Sequence, residues 1–159
     1  MKKVLIALIA IVFMATAAFA GTTDTQTVYY EIDAINEIVM GSDTTLTVNA
    51  ANAGSEPTMK TSTTLYYSVT TNETGKKITG SINANMPSGT TLNAYMAEAP
   101  GNGETLGEIA LSTTAADLVS SFEKTVDANM NYFMELISTV AAGLPADGSR
   151  VVTFTLTDT

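Results

Sequence analysis

Apolar and polar residues alternate along most of this chain, and the alternation stops at short stretches rich in Gly, Pro, Asn and Ser. A period of two is the pattern of a strand with one buried face. Residues 25–33 put Val28, Tyr30 and Ile32 on one face and Tyr29, Glu31 and Asp33 on the other. The phase slips at Ala34-Ile35-Asn36 and resumes at Ile38 and Met40, as a bulge or short corner would produce. After a turn at Gly41-Ser42-Asp43, residues 45–50 alternate again and direct Leu46, Val48 and Ala50 inward. Residues 51–60 hold Gly54 and Pro57 and read as a loop. The alternating runs 62–70 and 77–86 flank the polar loop 71–75 and predict a β-hairpin. Further strands are predicted over 91–97, 107–112 and 129–140. The terminal run RVVTFTLTDT adds another, with Val152, Phe154 and Leu156 opposite Thr153, Thr155 and Thr157. One stretch competes. In 113–122 the residues Ala115, Leu118, Val119 and Phe122 fall at helical spacing behind Thr114 as N-cap, which predicts a single short helix.

About eight short strands with a turn roughly every ten residues, and no alternation of strands with helices, predict an all-β fold. The expected architecture is an antiparallel β-sandwich, immunoglobulin-like in its Greek-key connections, with a closed barrel as the alternative. The chain has no Cys and no Trp, so the likeness to immunoglobulin domains is one of architecture, without their disulfide and buried Trp.

The first residues, MKKVLIALIAIVFMATAAFA, have the three parts of a secretory leader: two lysines, an apolar core, and Ala18-Phe19-Ala20 as a cleavage site. The apolar run is shorter than the ~20 residues that span a bilayer. Residues 1–20 are therefore expected to be a signal peptide and 21–159 a single domain, without an integral membrane segment after cleavage. The absence of Cys excludes a lipobox, and the core has to hold the domain without disulfides. Once Lys2 and Lys3 leave with the leader, five bases face 16 acids, a net charge of −11. Such acidity, spread without a block, argues against nucleic acid or an anionic membrane as partner.

Candidate chemistry is thin. With neither His nor Cys, the chain has no Ser-His-Asp or Cys-His site and no His-based zinc site. Glu31 with Asp33, and Glu104 with Glu108, are acid pairs that read more simply as solvated faces than as glycosidase carboxylates. No phosphate-binding Gly motif follows a strand, and no calcium-loop run is present; Asp147-Gly148 and Asp127 with Asn129 and Asn131 are ordinary turn chemistry. No catalytic, cofactor or metal site is expected. Asn72-Glu73-Thr74 is a glycosylation sequon at a predicted loop tip. Of the doublets Tyr29-Tyr30 and Tyr66-Tyr67, one member each should be core, leaving Tyr29 and Tyr66 as candidate contact aromatics.

Threonine sets the character of the chain. It recurs on outward phases, as at Thr45 and Thr47 or Thr153, Thr155 and Thr157, where it suits a sheet facing water or a neighbouring subunit. Neutral faces with few basic residues leave sheet edges poorly defended, which favours β-strand addition. The arm Gly21, Thr22, Thr23, Asp24, Thr25, Gln26 and Thr27 is the flexible donor candidate; the terminal strand is the other, although its strong alternation better suits an internal core strand. The stretches INEIVMGSDTTLTV, TTLYYSVTTNETGKKITGSI and VVTFTLTDT resemble secreted bacterial β-sandwich proteins of the kind that build surface fibres or coats. The resemblance implies an extracellular, cell-surface or periplasmic structural role and carries no site residues; the chain lacks the disulfide typical of chaperone-usher pilins. The function expected is a non-enzymatic subunit of a fibre, pilus or coat, partnered by itself or by other surface proteins. The alternative is a monomeric adhesin or carbohydrate-binding module.

Overall fold

The structure, a computed structural model, describes residues 23–159; the expected leader and the arm residues Gly21 and Thr22 lie outside the described residues. The chain divides into Met1–Ile32 and the compact unit Asp33–Thr159. Within the first unit, residues 23–32 form no strand. The alternation over 25–33 is thus not realised as a strand. A strand exists only where a neighbour accepts its N–H and C=O groups, and periodicity alone supplies none.

Among the described residues of the second unit there are ten strands: β1 (Asn36–Met40), β2 (Lys60–Thr61), β3 (Leu65–Thr71), β4 (Lys76–Ile82), β5 (Thr90–Met96), β6 (Glu104–Thr105), β7 (Ile109–Ala110), β8 (Ala116–Phe122), β9 (Thr125–Ser138) and β10 (Val152–Asp158). They form two antiparallel sheets, one ordered β1-β3-β9-β5-β7 with β2 beside β9, the other β10-β4-β8-β6. The protein is therefore all-β, with two sheets sharing one core as in a β-sandwich. From β4 onward each strand lies in the sheet opposite its predecessor. The hairpin expected across 71–75 is corrected accordingly: β3 pairs with β1 and β9, and β4 with β10 and β8. Connections between sheets and hairpin loops use the same polar residues, so the loop alone could not separate them.

The expected helix over 113–122 is a strand, β8, and its bulges explain the misleading spacing. Against β4, the pairing steps from Ile78↔Val119 to Thr79↔Asp117, and from Lys76↔Phe122 to Ile78↔Val119, so β8 carries an extra residue at each step. Each extra residue shifts the phase, and Leu118, Val119 and Phe122 all become buried. Ser121 adopts φ 59° at the second irregularity. Asn129, at φ 59°, occupies the equivalent bulge of β9, where Ser68 alone faces two residues between Tyr67↔Met130 and Val69↔Asp127. Asn tolerates the left-handed region better than most residues.

A further departure is residues 45–50, which alternate yet pair with no strand among the described residues; Leu46 still packs against the core. The remaining core follows the alternation. Tyr67, Val69, Met130, Tyr132, Met134, Leu92, Ala94 and Met96 enter from one sheet, and Ile78, Ile82, Leu118, Val119 and Phe122 from the other. The Tyr67 hydroxyl donates to the Ala97 carbonyl, and burial holds its ionisation far above the usual phenol range. Gly80, central in β4, sits where a Cβ would come within 2.7 Å of Leu118 Cδ1, so Leu118 fills the space a side chain would take.

Candidate functional site

The terminal strand completes the second sheet. β10 pairs with β4 from Val152↔Ile82 to Asp158↔Lys76 and, among the described residues, has no strand on its other side. β1 is the corresponding edge of the first sheet, and the two edges approach each other to form a seam.

One end of the seam is clamped. Lys76 Nζ lies 2.5 Å from Asp158 Oδ1 and 2.8 Å from Glu73 Oε2, and Asn36 Nδ2 donates to the same Glu73 oxygen at 2.5 Å. Thr71 Oγ1 donates to Asn36 Oδ1 at 2.7 Å. The start of β1, the β3–β4 loop and the end of β10 are thus joined through the Glu73 carboxylate and the Lys76 ammonium. The Asn36 amide and then the Lys76 ammonium hold the Glu73 carboxyl below its usual range, while Asp158 and Glu73 raise Lys76. Asn72 extends the clamp, its Oδ1 accepting from Ile35 N–H and its Nδ2 donating to the Asp33 carbonyl, both at 2.8 Å. In this arrangement the sequon's amide nitrogen already has a partner.

The other end is open. Beyond Met40 the chain crosses as residues 41–50 without pairing, and a trough lies there in two adjoining compartments of about 640 and 780 Å³. The first is floored by Leu65, Leu92, Tyr132, Met134 and Phe154, residues of both inner faces. The second continues past Leu46, Met86 and Leu136 to residues 143–148. The same asymmetry runs through the core. Phe122, Leu118 and Ile78 have no exposed surface, whereas Ile38, Met40, Leu65, Val152, Phe154 and Leu156 are only partly buried although they pack on the same cluster. Arg150, at the rim, is fixed by Nε and Nη2 donating to the Asn85 carbonyl at 3.1 and 2.8 Å.

Of the candidate donor residues, Thr23, Asp24, Thr25, Gln26 and Thr27 are exposed and outside any strand. Tyr29 is 91% exposed and Tyr66 51%. Tyr67 is core, as one member of its doublet was expected to be; Tyr30, like Tyr29, is exposed. Two features had no signal in the sequence. On the outer face of the first sheet, Tyr95 and Phe133 stack at 4.7 Å and 13°. On the same face, the buried Glu135 accepts from Thr61 Oγ1 at 3.0 Å, and its negative charge raises the Glu108 carboxyl. Both pairings depend on register between strands distant in the chain. Among the described residues, no group of three or more His, Cys, Asp or Glu side chains is placed to hold a metal ion. No helix there is long and apolar enough to cross a membrane. The chain matches no protein-family model and no curated protein.

Proposed function

We propose that this protein is a secreted, non-enzymatic structural subunit of an extracellular fibre, pilus or coat, assembled by β-strand addition. The observation that carries the reading is the half-open seam: an unpaired edge at β10 beside a trough whose floor is hydrophobic core. A monomer gains nothing from leaving Phe154 and Leu65 half covered, whereas an added strand supplies ladder hydrogen bonds and apolar cover together. The leader pattern supports export, and the resemblance to secreted bacterial surface proteins agrees with it. Strands that cross between the sheets support Greek-key connections for the sandwich, whereas an immunoglobulin arrangement would keep A with B, D with E and F with G in one sheet. The N-terminal arm, residues 21–27, leads the donor. Protein beginning at Gly21, examined by negative-stain microscopy and size-exclusion chromatography with light scattering, should show filaments or a ladder of oligomers. A single monomeric species at every concentration would overturn the proposal.

The second reading, a monomeric binding module, is favoured by the Tyr95–Phe133 stack, an aromatic pair on an outer sheet face. It predicts binding to a glycan or host surface that weakens at least tenfold in Phe133→Ala while the protein stays folded.

A further inference from the structure

We infer that the strand filling the trough comes from residues 28–32 of a second copy, the apolar run directly behind the arm; the inference rests on the strand-addition reading above. Val28, Tyr30 and Ile32 are 72%, 86% and 75% exposed. They occur at every second position, so an extended backbone turns all three to one side. The outward phase, Tyr29 and Glu31, suits a strand whose other face stays wet. From Val28 to Ile32 such a strand spans roughly 13 Å at ~3.3 Å per residue, less than the seven-residue β10 it would lie along.

The acceptor has the matching shape. Between the free edge of β10 and the start of β3, the half-buried Leu65 and Phe154 line the trough above the buried Tyr132 and Met134, walled by residues 40–46 and 148–152, and no strand among the described residues covers them. An aromatic side chain such as Tyr30 brings about 150–250 Å² of surface to such a site. Chain direction points to a second copy. The compact unit begins at Asp33, which Asn72 holds at the clamped end of the seam, while the trough lies at the Met40 and Val152 end. A strand donated head to tail gives a heterologous contact that repeats without closing, the geometry of a fibre.

The test uses the chain from Gly21 in four forms: unchanged, V28S/Y30S/I32S, Y29S, and lacking residues 21–27. Light scattering and microscopy report assembly, and circular dichroism with thermal melting reports folding. Assembly should persist in the unchanged, Y29S and arm-less proteins. In V28S/Y30S/I32S every species above monomer should be lost with the melting temperature unchanged, because these side chains lie outside the core. A peptide of residues 25–33 in excess should shorten the assemblies of the unchanged chain, and a scrambled peptide should not. If V28S/Y30S/I32S assembles normally and the arm-less protein does not, this inference is overturned while strand addition stands. A monomeric unchanged chain sinks strand addition itself, and a fall in its melting temperature on V28S/Y30S/I32S would place the segment in its own trough, not a neighbour's.

Discussion

Phe122 and Phe154 both point into the core, but only Phe122 is sealed on every side. Truncating Phe122 to Ala leaves a cavity that rigid neighbours cannot fill, at about 3–5 kcal/mol. Phe154→Ala, at the trough, should cost the isolated subunit only about 1–2 kcal/mol. Denaturant unfolding of the two variants checks the contrast, and equal losses would mean that the trough is closed in solution. Glu108 offers a pH-dependent counterpart. Repulsion from Glu135 raises its carboxyl, so the ionised form is disfavoured in the folded state. Stability linked to Glu108 is therefore complete below the usual carboxylate range and is lost as pH rises through the raised value. Glu108→Gln should raise the melting temperature at pH 7, and the gain should vanish in acid. A gain that persists at low pH would point to a cause other than charge.

At the scale of elements, the ends of β1 and β10 depend on ionic groups and their middles on packing. Glu73 is lowered, so its contribution is present above the usual carboxylate range and lost as pH falls through the lowered value. Lys76 is raised, so its contribution is lost only in strong alkali. Between those limits Lys76→Met should speed amide hydrogen exchange in β10 while leaving β8 and β9 protected; uniform acceleration would show that the clamp supports the whole fold instead of one edge. The elements also show why some of the fold was legible beforehand and some was not. β3, β5, β10 and the part of β9 beyond its bulge at Asn129 were readable because each keeps its phase on the face it buries. β8 was misread because two bulges convert a period of two into the spacing of Leu118, Val119 and Phe122, which a helix would also produce. Residues 25–33 and 45–50 alternate as well as β10 does, and neither pairs with a strand among the described residues. Alternation records a face made for burial and says nothing of which chain covers it.

For the molecule as a whole, charge is the variable that bears on assembly. The chain carries a formal −9 at pH 7, and −11 without the leader lysines, so copies repel one another. At 10 mM salt that repulsion reaches about 30 Å, and at 0.15 M about 8 Å. Assembly from Gly21-initiated protein should therefore rise with added sodium chloride over this range. A yield that falls with salt would indicate a contact held by ion pairs, contrary to a trough floored by Leu, Met and aromatic side chains.

The amino-acid sequence by itself determined the all-β class, the inward residues of most strands, and a core built without Cys or Trp, because these follow from local periodicity and composition. Only the tertiary structure decided that β3 and β4 part into different sheets, that β1 and β10 form a seam clamped by Glu73 and Lys76, and that the seam opens onto a trough. Those features depend on pairings between residues far apart in the chain, such as Lys76 with Asp158, and period-two alternation carries no information about which strand will be a neighbour.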